Sequence, residues 1–109
     1  MPTIQVDYVK AKQTAVTQYN TTISANTDTI IATCGAGQQW FLYGWFISNN
    51  VDTNIQFKTG STLLKTLYLK ANQSDASHQI APFLAGSVGE NLVIKSTTPL
   101  EVVLFYKVV

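Results

Sequence analysis

The sequence predicts an all-β fold: a single β-sandwich of seven to eight antiparallel strands behind an extended N-terminal arm. Three observations lead there. From residue 21 onward, short β-branched and aromatic runs are broken by turn residues every 8 to 12 positions or so. No stretch keeps a 3.6-residue apolar period for three turns, which removes amphipathic helices. The 109 residues suit one domain, and a chain of this size buries roughly two thirds of the surface that its unfolded form exposes. The expected division is an arm over residues 1–20 and a sandwich over residues 21–109.

The arm is polar and weakly patterned, with Tyr8, Val9, Val16 and Tyr19 as isolated anchors. Thr29 to Cys34 (TIIATC) reads as a strand ended by Gly35-Ala36-Gly37, where glycine supplies the positive φ of a tight turn. Gln39 to Asn49 is the long central strand, followed by the turn Asn49-Asn50-Val51-Asp52. In Asn54 to Lys58, Ile55 and Phe57 alternate inward against Gln56 and Lys58 outward. Thr59-Gly60-Ser61 makes a hairpin connection into Leu63 to Leu69.

Residues 71 to 78 (ANQSDASH) hold no large apolar side chain and read as an exposed loop. Pro82 restricts Ile80 to Leu84 to an edge or irregular stretch, and Gly86 to Asn91 is a further turn. Leu92 to Ser96 and Glu101 to Val108 are the last two strands, most simply an antiparallel hairpin around Thr97-Thr98-Pro99.

The central strand raises a question of its own. Strict alternation puts Phe41, Tyr43, Trp45 and Ile47 on one face and Trp40, Leu42, Gly44, Phe46 and Ser48 on the other, and both faces are apolar. The last strand repeats this, with Val102, Leu104, Tyr106 and Val108 against Val103, Phe105 and Val109. One covering is the arm or the IAPFL segment; the other is a second subunit. Two strands that ask for double covering exceed what one arm supplies. Trp40, Leu42, Phe46 and Phe105 are therefore the expected subunit-interface residues, and a homo-oligomer the expected state.

Composition excludes several functions. Charged residues make up only 12%, the net charge is +1, and all seven basic residues are lysine. Nucleic-acid binders cluster Lys and Arg on phosphates, so no nucleic-acid partner is expected. There is no apolar segment behind a basic start and no window near the ~18 apolar residues of a membrane span, so synthesis in a cytoplasm without a membrane partner is expected.

Catalysis and metal binding need groups in combination. With one His, one Cys and no Arg, a Ser-His-Asp constellation could form only around His78, and no nucleophile elbow accompanies it. Asp75 and His78 give two ligands where zinc takes three or four, so a solvated loop is the better reading unless such loops ring a symmetry axis. Glu90 and Glu101 are a possible carboxylate pair across the final hairpin. Cys34 follows an apolar run and reads as a buried thiol. No catalytic residue, cofactor or metal is expected.

A broader pattern then emerges. The glycine pair at 35 and 37, the strand ending Ile47-Ser48-Asn49-Asn50, and Ile55-Gln56-Phe57 running through Thr59-Gly60-Ser61 to Leu67-Tyr68-Leu69 are its first half. Pro82-Phe83, Gly89-Glu90-Asn91-Leu92 and Val103-Leu104-Phe105-Tyr106-Lys107 complete it. Over roughly residues 30 to 109 this order resembles small virion structural proteins of tailed bacteriophages. The resemblance implies a jelly-roll-like sandwich that assembles as a homo-oligomer, commonly a trimer, and decorates or cements the capsid. It also implies the major capsid protein as partner and the virion as location. On that reading Tyr8, Val9, Lys10 and Lys12 of the arm are the expected capsid contacts. The alternative is a receptor- or carbohydrate-binding sandwich of a tail tip, with Gln38-Gln39-Trp40 and Asn49-Asn50-Val51-Asp52 as the candidate loops.

Overall fold

The computed structural model describes residues 16–78 and 82–109. Among them are nine strands: β1 (Thr17–Ile23), β2 (Thr29–Ala32), β3 (Trp40–Asn49), β4 (Thr53–Thr59), β5 (Thr62–Leu69), β6 (Gln73–His78), β7 (Leu84–Ala85), β8 (Leu92–Ser96) and β9 (Leu100–Val108). One sheet runs β1-β9-β3-β6 with β7 also on β3, and the other runs β2-β8-β4-β5. Every strand pairing is antiparallel. With the two-residue β7 set aside, only β4 and β5 are consecutive within one sheet, and every other connection crosses to the opposite sheet. That winding is a jelly roll, so the fold is the all-β sandwich that the sequence predicts.

The core lies between the sheets. β3 contributes Trp40, Leu42, Trp45 and Ile47, and β9 contributes Val102 and Leu104. Facing them are Ile55 and Phe57 of β4 and Leu92 and Ile94 of β8. The Trp45 ring lies 5.2 Å from that of Phe57 and 5.1 Å from that of Phe83. In β4 the expected alternation holds, with Ile55 and Phe57 fully buried and Gln56 and Lys58 only partly so.

The central strand departs from alternation. Leu42 pairs with Tyr106 and Gly44 with Phe105, so Tyr43 is an extra residue without a partner of its own on β9. Such a bulge reverses the side-chain parity of everything beyond it. Trp40 and Leu42 therefore share the inner face with Trp45 and Ile47, while Phe41, Tyr43, Gly44, Phe46 and Ser48 face outward. The strand keeps apolar side chains on both faces, as the sequence predicts, but a single inserted residue changes which of them join the core: Trp40, Leu42, Trp45 and Ile47 are buried, while Phe41, Tyr43 and Phe46 stay on the outer side.

Three further expectations change. Residues 73–78 are not a loop but the edge strand β6, paired along β3 from Gly44↔His78 to Asn49↔Gln73. An edge strand needs main-chain pairing on one side only, so small polar side chains suffice to form it. The last two strands are not a hairpin, because β8 pairs with β2 and β4 while β9 pairs with β1 and β3. The corner between them is tied to both sheets. Thr98 Oγ1 accepts from Asn49 Nδ2 of β3 at 2.9 Å and lies 2.7 Å from Thr53 Oγ1 of β4, and Thr97 Oγ1 accepts from Asn54 N–H at 3.0 Å. Finally, β1 begins at Thr17, so the sheet takes in the last residues assigned to the arm.

Candidate functional site

The outer face of the five-stranded sheet carries an aromatic patch built by β3 and β9. Phe46 pairs with Val103, so these two outward side chains are direct cross-strand neighbours, while Phe105 stands opposite Gly44, which has no side chain. Phe46 is 49% exposed, while Phe41, Tyr43, Val103 and Phe105 are half-buried. Toward the end of the patch Lys107 Nζ sits 5.1 Å above the Tyr43 ring. Small and polar residues flank it: Asn20 on β1 opposite Val103, and Ala76 on β6 opposite Phe46.

Of the four expected interface residues, Phe46 and Phe105 lie on this face. Trp40 and Leu42 do not. Both are completely buried within their own chain, on the face opposite to Phe46 because the Tyr43 bulge lies between them and Phe46, and they are not available to a second subunit. The expected capsid contacts Tyr8, Val9, Lys10 and Lys12 lie outside the described residues. The sugar-stacking role considered for Trp40 falls with its burial. Its loop is engaged internally, with Gln39 Nε2 donating to Gly86 O at 2.7 Å.

The groups considered for chemistry are dispersed. Asp75 accepts a hydrogen bond from the Trp45 indole N–H, so its carboxylate serves a core side chain. His78 ends β6 opposite Gly44. Glu90 accepts from Thr59 Oγ1 at 3.2 Å, whereas Glu101 pairs with Thr22 on β1, at the far end of β8 from Glu90; the absent hairpin leaves the two apart. Among the described residues no three of His, Cys, Asp and Glu come together in a metal-binding group.

Cys34 is buried at 7% exposure, just beyond β2, with its N–H donating to Asn91 Oδ1 at 2.9 Å. Burial pushes its thiol pKa up, because the apolar surroundings penalise the thiolate. Native protein is expected to react with a thiol reagent at least about tenfold more slowly than unfolded protein, since thiolate fraction and access both fall on folding. Stopped-flow labelling with and without denaturant measures this, and equal rates would place Cys34 at the surface.

These features define a jelly-roll sandwich with an aromatic outer face on one sheet. Neither a family model nor a curated protein matches the chain. Among solved structures it is similar to a protein of Bacillus endospore appendages, described as a family of disulfide-linked pili. The TM-score is 0.43 at 16% identity, over 86% of this chain and 85% of that one.

Proposed function

We propose that the chain is a non-enzymatic structural subunit of a phage virion. It assembles with copies of itself, most simply as a trimer, through the outer face of the five-stranded sheet, and it decorates or cements the capsid against the major capsid protein. The observation that carries the assembly is Phe46, a large ring left half-exposed beside Val103, Tyr43 and Phe41 on a sheet face whose other side already holds the core. The resemblance of residues 30 to 109 to small virion proteins supports the capsid as the place of work. A cement protein needs no reacting groups; burying surface between shell components raises the free energy required to separate them.

Burying the exposed half of one phenyl ring removes about 100 Å² of apolar surface, or ~2.5 kcal/mol. Phe46→Lys is therefore expected to weaken self-association by roughly fiftyfold or more. Its own fold should stay within about 0.5 kcal/mol of wild type, as for other surface substitutions. Light scattering behind a sizing column reads the first effect and thermal melting the second. Co-sedimentation with undecorated capsid shells then tests the attachment. A wild-type monomer at micromolar concentration would overturn the assembly, and an oligomer that ignores the shells would overturn the capsid role.

A further inference from the structure

The opposite side of the sandwich, the outer face of the four-stranded sheet, carries a groove of about 440 Å³ that is chemically unlike the aromatic patch. Register builds it. Thr66, Gln56 and Lys95 stand directly opposite one another on β5, β4 and β8, and in the next row Tyr68 stands opposite Asn54. Asn26 reaches the end of that row, where its N–H donates to Ser96 O at 2.7 Å. Neighbouring strands are about 4.8 Å apart and successive same-face residues about 6.8 Å apart, so the polar grid has the dimensions of a sugar ring.

The side chains are of the kinds that recognise saccharides. Tyr68 is 75% exposed, and no other large apolar side chain of the described residues is more so. An outward ring of this kind offers a flat face to the C–H groups of a pyranose, and its hydroxyl adds a polar handle. The side-chain amides of Asn54 and Gln56, the Thr66 hydroxyl and the Lys95 ammonium have no hydrogen-bond or ion-pair partner among the described residues. Together they provide donors and acceptors aimed at one volume of ordinary ligand-site size. Charge selects further. Among the described residues Lys95 is the one charged residue lining the groove and no carboxylate lines it, while the next cation along the sheet, Lys58, is already paired with Asp28 at 3.2 Å.

We propose that this groove binds an acidic saccharide, with a sugar ring stacked on Tyr68, its hydroxyls or acetamido group on Asn54, Gln56 and Thr66, and its carboxylate at Lys95. The site uses the sheet opposite to the Phe46 face, so it stands or falls independently of self-assembly.

The test is calorimetric and NMR titration of the full chain with three carboxylate-bearing probes: hyaluronan tetrasaccharide, trigalacturonate and sialyllactose. Maltotetraose is the uncharged comparison. Binding of at least one acidic probe is expected at about millimolar Kd or tighter, with amide shifts at Asn54, Gln56, Thr66 and Tyr68. Tyr68→Ala should weaken it by about tenfold or more, and Lys95→Gln should bring the acidic probe to the level of maltotetraose, both with an unchanged thermal midpoint. No binding by any of the three, binding that survives Tyr68→Ala, shifts that map to the Phe46 face, or equal affinity for maltotetraose would each overturn the proposal.

Discussion

Phe57→Ala is expected to lower the unfolding free energy by about 3 to 5 kcal/mol. Phe57 is fully buried, sits at the middle of β4 between β5 and β8, and packs its ring 5.2 Å from Trp45 of the opposite sheet. Truncation leaves a cavity at the contact that joins the two sheets, and extended β-ladders on both sides prevent β4 from collapsing into it. A single domain is stable by about 5 to 15 kcal/mol, so this one change removes a large share. Denaturant unfolding measures it, and a loss below about 1 kcal/mol would mean that the sheets do not meet at Phe57.

Gly86→Ala is expected to cost about 3 kcal/mol or more, from overpacking and not from a cavity. A Cβ at residue 86 would stand 2.0 Å from Nε1 and 2.3 Å from Cε2 of Trp40. The indole has nowhere to go, being fully buried, and Gly86 is held against it by its N–H donating to Trp40 O at 3.0 Å and by Gln39 on its carbonyl. Two comparisons isolate the cause. Gly37→Ala, where φ is +79° and no atom of the described residues lies within 4 Å, should cost only about 1 kcal/mol of backbone strain. In a Trp40→Phe background, whose smaller ring lacks the indole N–H and the five-membered ring that carries it, the penalty of Gly86→Ala should shrink, giving a coupling of about 1 kcal/mol or more. Equal penalties in both backgrounds would show that the indole is not the obstacle.

The class of fold and most of its punctuation are readable from the order of residues alone. Strand composition and turn spacing are local properties, so the runs at TIIA, NIQFK and LVIKS, the glycine turn at residue 37 and the β4–β5 hairpin were legible without partners. The buried state of Cys34 and the inward pair Ile55 and Phe57 followed from the same local patterns. The outward aromatic face is half legible: alternation marks Phe46 and Phe105 as apolar outward positions, but it groups Trp40 and Leu42 with Phe46, and those two are buried. Only tertiary pairing could separate these, because a β-bulge is defined by two residues facing one on the neighbouring strand, and no property of Tyr43 alone announces it. β6 escapes a reading of the residues on similar grounds. Main-chain hydrogen bonds to β3 hold it, and Gln73-Ser74-Asp75-Ala76-Ser77-His78 carries none of the side-chain signals of a strand. The Tyr68 groove was legible only in pieces: Gln56 reads as outward from alternation, but that Thr66, Gln56 and Lys95 form one row depends on which strands of a jelly roll become neighbours. Strand order is set by how the two sheets share one core, the arrangement that buries the most apolar surface, whereas alternation within a strand is set by the chain's own pleat.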